Sequence, residues 1–159
     1  MIDHAASGVS DDTARAWFDA AVSGFAGERA YIVALIAAVG SLPSTPGHAE
    51  SEAAMAGQRH ALEMLARSER SGCAIGAAMA LVLDWPAVRQ VMDAAACDVG
   101  VSPPAVRLPD REGTARTFAA LATSASFERA ALFGAQQALA QQRGLWSLLE
   151  ARASARGAV

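Results

Sequence analysis

SFERAALFGAQQALAQQRGLWSLLEARASARG, residues 126–157, decides the fold. The stretch contains no proline. Phe127, Ala131, Gly134, Ala138, Leu145 and Leu149 fall close together on a 3.6-residue wheel, with Leu132, Ala135, Leu139 and Trp146 beside them. An apolar arc that wide predicts a helix packed against two or more others. At 1.5 Å per residue it spans roughly 45 Å, so its partners must be long as well.

The chain before it supplies those partners. Ser10-Asp11-Asp12 predicts a helix start, with Ser10 as N-cap and two carboxylates in the first turn. Trp17, Ala21, Phe25, Ile32, Leu35 and Val39 then form one stripe, with Gly24 and Gly27 as points where it could kink. Two prolines and a glycine in residues 42–47 predict a short connector, Thr45-Pro46 opening the next helix as N-cap and N1. That helix carries Met55, Leu62 and Leu65 and runs on through Cys73, Gly76, Met79 and Leu83, changing character at Ser71-Gly72. Residues 73–83 are apolar almost all round, which predicts central burial or cover by a second subunit.

Asp84-Trp85-Pro86 predicts a break, with Pro86 in the first turn of a new helix. Val88, Val91, Met92, Ala95 and Val99 continue it to a stop at Gly100. Pro103, Pro104 and Pro109 make residues 101–110 an extended crossover, and Asp110 caps a short helix holding Phe118 and Leu121. Residues 124–126 separate this from the final helix. No stretch alternates as a strand does, and no internal repeat is present. The expectation is an all-α protein: a four- to five-helix bundle forming one domain over residues 10–157, after a flexible N-terminus at 1–9. The order of its helices is compatible with a ferritin-like topology.

Composition narrows the function. Hydrophobic residues make up 53% of the 159-residue chain and aromatics 6%, so alanine supplies much of the core and helix axes can approach closely. The formal net charge is −3, all 13 cations are arginine, and no basic patch is dense enough to predict nucleic-acid binding. The apolar runs at 30–39 and 73–83 are too short to cross a bilayer, and residues 1–12 lack the basic and apolar regions of a secretory signal. The chain reads as soluble and cytoplasmic. Cys73 and Cys97 sit in apolar sequence with no neighbouring cation, which predicts structural thiols.

Two carboxylates stand on apolar stripes, Glu28 in Phe-x-x-Glu-Arg-Ala and Glu128 in Phe-Glu-Arg-Ala. A carboxylate facing a core must be paired or metal-bound. With His60 and Glu63 they form a candidate ligand set for a ferritin-like di-iron or di-manganese site. The set departs from that pattern: one His-x-x-Glu pair stands where two Glu-x-x-His pairs are required, and no histidine follows His60. Pairing of Glu28 with an arginine from another helix is the plainer alternative. The charged, proline-bounded run at 107–112 is a candidate binding lip. Gln136, Gln137, Gln141 and Gln142 band the last helix and could serve a subunit contact or an inter-helix network.

The leading reading is a non-enzymatic association module, most simply a homodimer, needing no cofactor. Its motive is the apolar segment 73–83 and the end Leu145-Trp146-Ser147-Leu148-Leu149. The iron- or manganese-binding bundle is one alternative, and a small apolar ligand held near Trp17, Met79 and Trp146 is another.

Overall fold

A computed structural model describes residues 2, 5, 11–40 and 47–157, the side chain of Arg156 excepted. Among them are five helices and no strand: α1 Asp12–Val39, α2 His48–Ala66, α3 Cys73–Asp98, α4 Arg111–Leu121 and α5 Ala125–Gly157. α3 is the hub and touches each of the other four. α5 packs on α3 and α2, while α1 packs on α4 and α3. The protein is an all-α bundle whose long final helix has two partners, as its wide apolar arc requires.

Local chemistry sets most boundaries. Asp11 is the N-cap of α1, its side chain accepting from Ala14 N at 2.8 Å. The cap expected at Ser10 lies outside the described residues, as does the Thr45-Pro46 start of α2. The first described residue before α2 is Gly47, at φ 79°. Asp110 caps α4 by accepting from Gly113 N at 2.7 Å. Ser124 plays the same part for α5 through Phe127 N at 3.2 Å. Ile2 and Ala5 are buried in the main core.

Three expectations are corrected. α1 runs unbroken through Gly24 and Gly27. A Cβ on Gly24 would lie 2.9 Å from Arg107 O, so this glycine admits the crossover loop against the helix. Second, the helix expected to run from 46 to 83 is two helices, parted at residues 67–72. Gly72 makes the turn at φ 97°, a left-handed conformation that costs glycine little. Third, Pro86 neither ends nor starts a helix but sits inside α3. An internal proline removes one ladder hydrogen bond and costs about 3 kcal/mol. Packing on either side offsets that cost: Trp85 meets Phe25 edge-to-face at 4.8 Å, and Arg89 is bonded to Glu28.

The main core joins α1, α3 and α4 around Trp17, Phe18, Phe25, Met79 and Val82. A smaller cluster joins Tyr31, Leu35 and Ala96 at the other end of α1. Most of residues 73–82 are buried centrally. By length and composition α1 is also apolar enough to cross a membrane, longer than the run at 30–39 suggested, and 28% of that window is buried in the bundle.

Candidate functional site

The α3–α5 crossing places the site. Its helices meet through residues without bulk: a Cβ on Gly76 would lie 2.0 Å from Ala131 O, and one on Gly134 would lie 2.0 Å from Cys73 O. The axes are therefore as close as backbones allow, and α5 lies along one side of α3. α4 lies along another, anchored by Thr114. The Thr114 hydroxyl donates to Asp110 O at 2.7 Å and accepts from the Trp17 indole N–H at 3.0 Å.

α4 and α5 do not pack on each other along their length. Between them, above α3, runs a groove of about 510 Å³. Gly76, Met79 and Ala80 make its floor; Phe118 and Ala115 line the α4 wall; Ala131, Ala135 and Leu139 line the α5 wall. Phe118 and Phe127 approach to 6.4 Å at their ring centroids. Leu83 and Leu132 also line it, although they are 46% and 58% exposed. Asp84 and Arg111 contribute charge, and Thr114 a hydroxyl. A hollow of about 460 Å³ beside α2 is bordered instead by Arg59, Glu63 and Arg67. The α3–α4–α5 groove thus has the apolar walls and few polar groups typical of a binding surface.

The second cluster of note is buried charge. Arg89 Nη1 meets Glu28 Oε1 at 2.8 Å and its Nε meets Asp93 Oδ1 at 2.6 Å. Its other nitrogen donates to Pro104 O, and its plane lies 4.4 Å from the Tyr31 ring centroid. Tyr31 donates to Asp93 at 2.9 Å. Although burial opposes the charged form of Arg89, the hydrogen bond to Asp93 and the nearby carboxylates outweigh it and raise its pKa. The Arg89 hydrogen bond holds the Asp93 carboxyl below its ordinary range, and burial with the Asp93 hydrogen bond pushes the Tyr31 phenol up. Glu28 Oε2 and Trp85 Nε1 are buried without a hydrogen-bond partner. The cluster ties α1, α3 and the crossover together, with Arg89 and Glu28 buried and Asp93 half-exposed.

The proposed metal ligands are dispersed over these elements. Glu28 is engaged through Oε1 by Arg89. His60 and Glu63 are exposed on α2, and Glu128 is exposed in the first turn of α5. Among the described residues no group of three or more His, Cys, Asp or Glu could hold a metal ion. The alternative partner for Glu28, an arginine from another helix, is the one found.

Of the apolar-ligand residues, Met79 lines the groove and Trp17 stands behind it through Thr114, while Trp146 lines another part of α5. From the candidate lip at 107–112, Arg111 reaches the groove. Gln136 and Gln137 are exposed; Gln141 and Gln142 are half-buried, and Gln141 O accepts from Gln58 Nε2 at 3.1 Å. Cys73 is buried at the helix crossing as expected, but Cys97 is exposed. Sequence reasoning missed Arg89 and the groove as a whole.

The fold and its groove define a small helical-bundle protein with an apolar recess beside the close-packed α3–α5 crossing. The chain belongs to the family of unknown function DUF6975, whose profile matches residues 1–157. Comparison with the curated proteins and with the solved structures gives no match.

Proposed function

We propose that this protein is a non-enzymatic association module that works through the groove between α3, α4 and α5. The observation that carries this reading is the pair of leucine lips. Leu83 and Leu132 stay about half in water beside a recess already walled with apolar side chains. Apolar surface gathered in this way is what a partner surface buries, and covering the exposed part of one leucine contributes about 1 kcal/mol. No polar group in the groove has the neighbours of a nucleophile or a general base. The buried acid-base pair, Glu28 with Arg89, is spent on holding helices together.

A photo-crosslinking residue at Leu132, used in intact cells, tests it. The expected product is a covalent adduct to protein, with none from a control position at Arg59 on α2. Equal labelling from both positions, or no protein adduct from Leu132, contradicts the reading. A groove of about 510 Å³ also falls within the range of small-molecule sites, and that observation favours a bound apolar ligand as the second reading. Native mass spectrometry separates the two, since a ligand appears as a small stoichiometric adduct that Leu132→Asp removes.

A further inference from the structure

Resting on the groove as the working surface, we infer that its occupant is a second copy of this chain, docked about a two-fold axis so that Arg111 of each copy faces Asp84 of the other. Asp84 and Arg111 border the same groove, one on α3 and one at the start of α4. They carry opposite charge, yet among the described residues neither makes an ion pair or a side-chain hydrogen bond. Unlike the other unpaired charges on the helices, they border the apolar groove itself, one on each side of it. Arg116 pairs with Glu112, Arg15 with Asp12, and His48 approaches Glu52.

A two-fold axis gives both charges a partner at once. In an isologous contact, whatever the α3 side offers meets the other copy's α4 side, and the same contact occurs twice. An acid on the first side and a base on the second are therefore self-complementary. Shape agrees: Leu132 stands proud on one wall beside a recess, so each copy presents both the ridge and the trough that receives it. An apolar small molecule gives Asp84 and Arg111 no role. A helix from a different protein would have to carry one cation and one anion in matching register.

Sedimentation equilibrium of the full chain tests this, with circular dichroism confirming that each variant is folded. The wild type is expected to dimerise reversibly in the micromolar range, and Leu132→Asp to be monomeric. Asp84→Arg and Arg111→Glu each place two like-charge pairs in the interface and weaken the dimer by about tenfold. The decisive sample is an equimolar mixture of those two variants. A heterodimer of the two contains one native Arg111–Asp84 pair and one reversed pair, so the mixture is expected to recover near wild-type association. The milder Asp84→Asn and Arg111→Gln are expected to weaken it by about threefold each and serve if a reversal fails to fold.

A wild-type chain that remains monomeric at high micromolar concentration overturns the second-copy inference, and the crosslinking at Leu132 then decides the groove reading separately. A dimer indifferent to Leu132→Asp overturns both. A dimer that Leu132→Asp disrupts but that the mixture fails to restore overturns the reciprocal pairing and retains the groove. A co-purifying apolar molecule that keeps the chain monomeric also overturns it.

Discussion

Gly76 and Arg89 stand on the same helix and hold their neighbours by opposite means. At Gly76, α3 meets α5 backbone to backbone, with no side chain between them. At Arg89, α3 meets α1 and the crossover through a long guanidinium that reaches two carboxylates and a carbonyl. The first contact depends on the absence of atoms and tolerates no addition. The second depends on a balanced set of charges and tolerates no single removal. Close approach at the first contact brings α5 down beside α3, while α4 is held to α1 by the Trp17–Thr114 bond. The groove is the space left between those two arrangements.

The largest effect should come from unbalancing the charged contact. Arg89→Ala leaves Glu28 buried without its cation, and we predict a loss of about 3–5 kcal/mol in urea unfolding. The double variant Arg89→Met, Glu28→Leu should recover most of it, because a buried ion pair contributes little beyond well-packed apolar side chains. A double variant as unstable as Arg89→Ala would show that the pair itself stabilises the fold. At the other contact, Gly76→Ala and Gly134→Ala should each cost about 3 kcal/mol, because the new methyl meets backbone that cannot turn aside. A cost near zero would mean that the two axes can part without penalty.

The next effect is smaller and depends on pH. Asp93 is held below its ordinary pKa, so its contribution is complete above about pH 4 and fades as pH falls through the depressed folded value. Asp93→Asn should therefore lose about 1 kcal/mol at neutral pH, allowing for the solvent at this half-exposed group, with the gap to wild type closing in acid. Tyr31 acts at the other end of the scale. Its raised pKa favours folding below about pH 10, and that contribution is lost as pH rises further through the folded value. The smallest change should be a gain. Gly27 meets nothing within 4 Å of an added Cβ, so Gly27→Ala should stabilise α1 by about 0.5–1 kcal/mol, read as a raised Tm.

Where sequence and structure agree, the determinant is local. Asp110 caps its helix, Gly100 closes α3 at φ 70°, and Ala131, Gly134 and Ala138 are buried on the face that the 3.6-residue wheel gives them. Where they part, packing from a distant element overrides a local rule. Pro86 reads as a helix start because its own peptide cannot continue a ladder, but α3 continues through it, with contacts to Phe25 and Glu28 on either side. That misreading also hid Arg89. Only a helix continued through Pro86 puts Val82, Trp85, Arg89 and Ala96 on one face, opposite Glu28. Glu28 itself was legible as a core-facing carboxylate that needed a partner. The groove was not legible, because it depends on α4 and α5 standing apart on α3, which no single helix pattern encodes. Its lips, Leu83 and Leu132, lie on stripes that read equally well as core.

Hydrogen–deuterium exchange at low and high micromolar protein concentration tests the central claim most directly. Self-association through the groove predicts added protection at residues 76–84, 111–118 and 131–139 as concentration rises, with the rest of the chain unchanged. Protection that rises instead on the exposed Val33–Ile36–Val39 face of α1, or that does not change with concentration anywhere, would contradict it.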